Sequence, residues 1–128
     1  DGVGNIDINK LIKHHKAHKV LATLTSYAPP NRFGILKTSG NLVEEFLEKP
    51  QSEDALINAG FFVLSPKVID LIEDDSTVWE EDPLKKLAND KELSFYRHNK
   101  FWHPMDTLRD KNYLENLWNN GEAPWKVW

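Results

Sequence analysis

DINKLIKHHKAHKVLATLT, residues 7–25, is the stretch of sequence that indicates the fold class. Apolar residues recur from Ile8 to Ile12 at the spacing of one helix face, and Asp7 is a suitable N-cap in front of them. The apolar run 20–25 follows at once and predicts a largely buried strand. A helix that leads directly into such a strand is typical of α/β folds.

Strand and helix patterns continue to alternate along the rest of the chain. Turn residues separate two short extended runs, so residues 32–47 are expected to form a β-hairpin. The remaining expected elements are strands at 57–64 and 93–98 and helices capped by Ser65, Asp82 and Thr107, the last with Asp110 completing a capping box. The helix after Ser65 is expected to bury four apolar residues: Val68, Ile69, Leu71 and Ile72.

The composition excludes several classes of protein. The 128 residues amount to one domain or less, and a net charge of -4 argues against a nucleic-acid polymer as partner. No apolar run approaches the roughly 20 residues of a membrane span, so no membrane association is expected. The absence of cysteine excludes disulfides and thiolate chemistry, and it suits a cytoplasmic protein.

Charged residues at three places are candidates for a functional site. Asp1 is followed by a glycine, an arrangement that can extend a carboxylate beyond a strand end, where open α/β sheets bind ligands. Glu48 and Lys49 leave the hairpin with opposite charges on opposite faces. Asp106 is either a site residue or the N-cap of the last helix. An ordinary turn at Asp1 and an ordinary strand end at Glu48 are the alternatives.

Two further groups have patterns that resemble metal sites. His14 and His18 have a spacing that can hold a metal, but the lysines around them favour a solvated basic helix face. The acidic run 73–75 lacks the alternating oxygen donors of a calcium loop. We therefore expect neither group to bind a metal.

Seven short motifs follow one another in a definite order and spacing. They are residues 1–3, 29–34, 46–50, 57–64, 77–80, 101–111 and 123–128. In this order they closely resemble the glucose-1-phosphate cytidylyltransferases, a branch of the sugar-phosphate nucleotidyltransferase family. The Glu-Lys-Pro and Asn-x-Gly motifs are common to the whole family. The block FWHPMDTLRDK (101–111) and the tail APWKVW (123–128) are similar to the cytidylyl branch in particular.

The resemblance implies both a fold and a reaction. The fold is the three-layer α/β/α, Rossmann-like fold of nucleotide-diphospho-sugar transferases, with a mixed, mostly parallel sheet and the hairpin as a local antiparallel part. The reaction is the transfer of CMP from CTP to α-D-glucose 1-phosphate, by direct attack of the sugar phosphate on the α-phosphorus. Such a displacement depends on aligning two polyanions and neutralising charge more than on a protein nucleophile.

The same resemblance implies roles for individual residues. Asp1 and Asp106 would hold Mg²⁺, and Lys49 would contact the sugar phosphate, which makes these three the implied catalytic residues. The sugar site would be lined by Glu48, Asn58, Ala59 and Gly60, with Arg32 and Gly34 nearby. Ala59 stands where the family usually has glycine, so the resemblance implies an extra methyl group close to the sugar.

The Gly-rich phosphate loop of that family has no counterpart in this sequence. We therefore expect residues 1–128 to form the C-terminal, sugar-phosphate-binding half of one nucleotidyltransferase domain, inactive without the N-terminal, nucleotide-binding half. The full-length protein is expected to be a homo-oligomer that serves polysaccharide (O-antigen) biosynthesis. The alternatives are a hexose-1-phosphate nucleotidyltransferase that uses dTTP or UTP, and a non-catalytic sugar-binding or oligomerisation module of the same fold.

Overall fold

The computed structural model describes residues 1–30, 35–47 and 56–128. Its strands are β1 (Gly2–Gly4), β2 (Ala22–Tyr27), β3 (Ile35–Ser39), β4 (Leu42–Leu47), β5 (Ile57–Asn58), β6 (Val63–Leu64), β7 (Leu93–His98) and β8 (Trp102–Pro104). Its helices are α1 (Ile8–His18), a 3₁₀ helix (Pro66–Leu71), α2 (Asp82–Asn89) and α3 (Leu108–Asn119). None of the helices within these ranges is long and apolar enough to cross a membrane.

Strand β2 is the centre of the largest sheet. It pairs in parallel with β7 over its whole length, from Ala22 opposite Leu93 to Tyr27 opposite His98. Its other edge pairs antiparallel with β5 and β6. Separate antiparallel pairs are formed by β1 with β8 and by β3 with β4. The predicted mixed sheet and hairpin are confirmed. The predicted predominance of parallel pairing is wrong for the described strands, where β2 with β7 is the one parallel pair.

Helices cover both faces of this sheet. On one face, α1 approaches β2 and β7, where His15 Nδ1 lies 2.9 Å from Thr23 Oγ1 and His14 Nε2 lies 3.2 Å from Ser94 Oγ. Side chains alternate along a strand, so Ala22 points to the opposite face. There it belongs to a buried core with residues of the 3₁₀ helix and α2: Val68, Leu84 and Leu87. The sheet therefore lies between two helical layers, as the sequence predicts.

Local capping signals determine where the helices begin. Asp7 caps α1 by accepting a hydrogen bond from the N–H of Lys10 at 3.0 Å. Thr107 caps α3 within a complete capping box. Both agree with the sequence prediction. Helix α2 differs, because its N-cap is Glu81 and the expected cap, Asp82, lies in the first turn. Pro83 is compatible with either start, since the first turn of a helix leaves N–H groups without helical partners in any case.

The segment after Ser65 corrects another expectation. It forms a 3₁₀ helix in which Val68 is buried, whereas Ile69 is 68% exposed and Ile72 is also exposed. A 3₁₀ helix has three residues per turn, so residues three apart lie on the same side. Val68 and Leu71 therefore face the core, and the other two apolar residues of the expected buried set face outward.

Residues 57–64 form two short strands rather than the single predicted strand. The registers of β5 and β6 leave two residues of β2 opposite four residues, 59–62. The chain accommodates the extra residues where Gly60 and Phe61 adopt positive φ angles of 76° and 50°. Thr25 anchors the resulting turn, because its N–H donates to Gly60 O and its hydroxyl donates to Phe61 O.

Candidate functional site

Two adjoining cavities lie where β1 begins and where β5 and β8 end. Their volumes are about 470 Å³ and about 970 Å³. The smaller cavity is lined by Asp1, Gly2, Asn58, Ala59, Gly60, Phe61, Glu80, Trp102, Pro104 and Asp106. The larger shares four of these residues, Asn58, Trp102, Pro104 and Asp106, and adds Tyr27, Pro29, Pro30, Ile57, Phe101, His103, Arg109, Asp110 and Tyr113. Within the described chain, the charged side chains that line the smaller cavity are all carboxylates.

Pairing of β1 with β8 brings Asp1 and Asp106 together. Asp1 precedes β1 and Asp106 follows β8, and Gly2 lies opposite Pro104 in the ladder. The N–H of Met105 donates to Asp1 O at 2.7 Å, and the α-amino nitrogen of Asp1 lies 3.0 Å from Asp106 Oδ1. The two side chains are 87% and 67% exposed, so both carboxylates can be reached from the cavity. Both residues line the smaller cavity, so two acids 105 positions apart in sequence contribute to one site.

The turn 58–61 forms another wall of the smaller cavity. Asn58 Oδ1 accepts the N–H of Gly60 at 2.9 Å, which fixes the orientation of the Asn58 amide. Ala59 O accepts the indole N–H of Trp102 at 3.0 Å, and the N–H of Ala59 donates to Thr25 O at 2.9 Å. Ala59 is only 3% exposed, so its methyl group presents little surface to the cavity. Of the expected sugar-site residues, the structure brings Asn58, Ala59 and Gly60 together.

Glycine is required at position 2 by the packing of Trp102. A β-carbon at Gly2 would lie 2.8–3.0 Å from three atoms of the Trp102 indole. The ring is held by its hydrogen bond to Ala59 and by Tyr27, whose ring centroid is 5.2 Å away. The close approach of β1 to this ring holds Asp1 in the wall of the smaller cavity.

The beginning of α3 forms one side of the larger cavity. Asp110 Oδ2 accepts from the Thr107 hydroxyl at 2.8 Å and from the Thr107 N–H at 3.0 Å, and Asp110 Oδ1 lies 3.1 Å from His103 Nε2. The bond from the Thr107 hydroxyl is the largest of the contacts that hold the pKa of Asp110 below its ordinary value. Because Thr107 is the cap, Asp106 is not the N-cap, and its carboxylate lines the cavity instead.

Four of the expected site residues, Arg32, Gly34, Glu48 and Lys49, lie outside the described residues. Sequence reasoning did not single out Tyr27, Glu80, Trp102, His103 and Arg109, which the structure adds to the cavity walls. Three of these belong to the quoted block 101–111, whose density of aromatic and charged residues is the signal that could have found them.

The donor chemistry of the cavity fits a hard cation. Magnesium is usually held by one or two carboxylates together with substrate phosphates and water. Asp1 and Asp106 supply such a pair. Among the described residues there is no group of three or more His, Cys, Asp or Glu that could hold a metal without such a substrate.

Comparison of sequences relates this chain to known proteins. The profile of the Nucleotidyl transferase family matches residues 1–116. Glucose-1-phosphate cytidylyltransferase of Salmonella typhi is 56% identical over 128 residues, which cover 100% of this chain and 50% of that protein. Mannose-1-phosphate guanyltransferase 2 of Candida glabrata is 33% identical over 120 residues, covering 89% of this chain and 33% of that protein. The chain thus spans half the length of the cytidylyltransferase it matches.

Comparison of structures supports the fold. A Bacillus anthracis protein assigned as a glucose-1-phosphate thymidylyltransferase, crystallised with sucrose, superposes with a TM-score of 0.64. The match covers 99% of this chain and 52% of that chain, at 16% sequence identity. At this identity the match concerns the fold alone, and it confirms the predicted α/β, Rossmann-like class.

Proposed function

Because this chain belongs to the Nucleotidyl transferase family, we propose that it serves the transfer of CMP from CTP to α-D-glucose 1-phosphate, which gives CDP-glucose and pyrophosphate. We further propose that residues 1–128 are the C-terminal, sugar-phosphate-binding half of such an enzyme. The identity of 56% to a glucose-1-phosphate cytidylyltransferase over the full chain supports this choice of substrates.

The observation that carries the proposal is the meeting of Asp1, Asp106 and the turn 58–61 around one cavity. The resemblance assigns the two carboxylates to Mg²⁺ and the turn to the sugar. The structure brings these three distant parts of the chain within reach of a single small molecule, which supports a shared role in binding a sugar phosphate.

The proposed mechanism is a direct displacement at phosphorus. A phosphate oxygen of glucose 1-phosphate attacks the α-phosphorus of CTP, and the bond from that phosphorus to the pyrophosphate leaving group breaks. A bound Mg²⁺ would neutralise the negative charge of the phosphoryl oxygens. Asp1 and Asp106 would hold this ion, and the turn around Asn58 would orient the sugar beside it. These residues supply position and charge rather than a nucleophile.

Residues outside the described ranges complete the proposal by resemblance. Lys49 would neutralise the phosphate of the sugar substrate, and Glu48 would accept hydrogen bonds from its hydroxyl groups. Arg32 and Gly34 would lie near the same sugar. The cation of Lys49 would balance the carboxylates of the cavity, because a site of acids alone repels a phosphate.

The proposed surroundings of the enzyme follow the same resemblance. We propose a cytoplasmic homo-oligomer that supplies a sugar nucleotide for O-antigen polysaccharide. Support for the oligomer comes from the tail, where Val127 and Trp128 are about four-fifths exposed and Trp128 lies 6.5 Å from Trp118 between ring centroids. Exposed aromatic residues are enriched at subunit interfaces.

The test uses a hybrid enzyme, defined as the Salmonella typhi cytidylyltransferase with its matching half replaced by this chain. We expect the hybrid to form CDP-glucose from CTP and glucose 1-phosphate in the presence of Mg²⁺, and the 128-residue chain alone to form none. Asp106→Asn should lower kcat by about 100-fold or more, because a ligand to the ion is lost. Asp75→Asn, at an exposed acid that lines neither cavity, is the matched control.

Several outcomes would contradict the proposal. An inactive hybrid would favour a non-catalytic module, and equal activity of Asp106→Asn and the control would remove the assigned role of Asp106. Nucleotide choice is measured on the protein expressed from its own complete reading frame. Equal use of dTTP or UTP and CTP there would favour the other hexose-1-phosphate nucleotidyltransferases.

A further inference from the structure

Glu80 is a carboxylate of the smaller cavity that has no role in the proposed reaction. It lies in the motif 77–80 and lines the cavity together with Asp1, Asp106 and the turn 58–61. Its side chain is exposed, and no ion pair in the described part of the chain involves it. The feature that needs an explanation is a third negative charge in a cavity suited to phosphate chemistry.

Packing of the neighbouring residues fixes Glu80 beside the turn. Trp79 meets Phe62 edge to face, with ring centroids 5.7 Å apart, and both rings pack against the buried core. Phe62 directly follows the turn 58–61. On the other side, Trp79 O accepts the N–H of Leu84 in α2 at 3.3 Å. The backbone on which Glu80 stands is thus tied both to the cavity wall and to a helix.

Charge decides which part of a substrate can face Glu80. Asp1 and Asp106 are the carboxylates proposed to hold Mg²⁺, and a phosphate is attracted to that ion. A carboxylate without a cation repels phosphate oxygens, but it accepts hydrogen bonds from neutral hydroxyl groups. The phosphate must therefore point to the two aspartates and the hydroxyl-bearing ring to Glu80.

We propose that Glu80 is a specificity-determining residue that accepts a hydrogen bond from one hydroxyl group of the hexose 1-phosphate. The inference rests on the proposed function and adds a second carboxylate, besides Glu48, to the recognition of the sugar. A substrate that lacks this hydroxyl leaves the carboxylate without its partner. Rejection of such a substrate by about 10-fold to 100-fold is expected for a hydrogen bond to a charged group.

The test compares glucose 1-phosphate with its 2-, 3-, 4- and 6-deoxy analogues in the hybrid enzyme. With Glu80 present, one analogue should show a kcat/KM about 10-fold to 100-fold lower than the parent sugar. In Glu80→Ala that difference should vanish, mainly because KM for glucose 1-phosphate rises. Glu80→Gln keeps an acceptor oxygen and should retain part of the discrimination. Glu81→Ala is the matched control, because it removes the adjacent exposed acid, which does not line the cavity.

Two results would overturn the inference in an active hybrid. One is an unchanged set of kcat/KM ratios in Glu80→Ala. The other is a higher Mg²⁺ concentration at half-maximal rate in that variant, which would identify Glu80 as a metal ligand instead.

If the hybrid is inactive, the proposed function fails and a binding measurement decides about Glu80. Saturation-transfer NMR then measures binding of glucose 1-phosphate to the 128-residue chain with Mg²⁺ present. Transfer that Glu80→Ala abolishes and Glu81→Ala retains would support the inference. Absent or equal transfer in the unmodified chain and Glu80→Ala would overturn it.

Discussion

Replacement of Gly2 by alanine tests how β1 is seated against Trp102. The added β-carbon would lie 2.8 Å from Nε1, 2.9 Å from Cζ2 and 3.0 Å from Cε2 of the indole. All three distances are well below an ordinary carbon contact of about 3.5–4.0 Å. The ring is rigid and its N–H is bonded to Ala59 O, so it cannot move away without losing that bond. Either the indole or β1 must therefore shift.

The expected cost follows from these contacts. Forcing an extra carbon into a packed site destabilises a protein by about 1–3 kcal/mol. For a chain of this size, 1 kcal/mol corresponds to a fall in Tm of about 4 °C. Gly2→Ala should therefore lower the Tm by roughly 4–12 °C, and calorimetry or thermal circular dichroism measures it.

A double-mutant cycle shows whether the clash is the cause. Trp102→Ala removes the three indole atoms that the new β-carbon would meet, and with them the bond to Ala59, at a cost of about 3–5 kcal/mol. The double variant should then be more stable than the sum of the two losses predicts, by about 1 kcal/mol or more. Additive losses, or a neutral Gly2→Ala, would refute the reasoning.

The remaining predictions concern titration and assembly. Thr107→Ala should raise the pKa of Asp110 in a carboxyl NMR titration, because the Thr107 hydroxyl is the main cause of its lowering. The stability that Asp110 contributes is present above its unfolded pKa and lost as the pH falls through its lower folded pKa, and loss of the cap itself should cost about 1 kcal/mol in urea unfolding. The pKa of His14 is lowered by burial and then by the charge of His18, so the fold favours neutral His14 and should lose stability as the pH falls below about 6.5. His18→Ala should raise the pKa of His14 in a ring-proton titration, and an unmoved pKa would count against this account. Deletion of residues 123–128 from the full-length protein should reduce the number of subunits in its oligomer, as measured by light scattering. An unchanged number of subunits would contradict the proposed role of the tail in assembly.

Elements specified by neighbouring residues were predictable from the sequence. Asp7 and Thr107 cap their helices as expected, because a capping signal acts within one turn. Strand β7 has the predicted bounds, Leu93–His98. Strand β2 begins at Ala22, two residues later than predicted. The apolar pattern of Val20 and Leu21 does not show where pairing with β7 starts.

Elements specified by distant residues were not predictable. Strands β1 and β8 have three residues each, and β1 contains two glycines, which have low strand propensity. They form because the β1 glycines allow Trp102 to approach closely. The break at Phe61 is hidden for a similar reason, since a positive φ at a bulky residue is rare and is imposed here by bonds to Thr25.

The residues of the site also fall into those that the sequence indicated and those that only the structure revealed. The resemblance brought Asp1, Asp106 and the Asn58 turn to attention, and the structure brings all three to one cavity. Glu80 belongs to the motif 77–80 but was given no role, because its place at the cavity depends on the packing of Trp79 against Phe62. Residues whose role depends on the packing of their neighbours cannot be found by spacing alone.

The pairing of β2 also constrains synthesis of the protein. Its partners on one edge lie at residues 57–58 and 63–64 and its partner on the other edge at 93–98, so the second edge stays open until residues 93–98 have been translated. A nascent chain that has left the ribosome only up to α2 carries an unprotected strand edge, a template for association with other chains. We therefore expect this sheet to form only after His98 has emerged, and dependence on chaperones to be greatest just before that point.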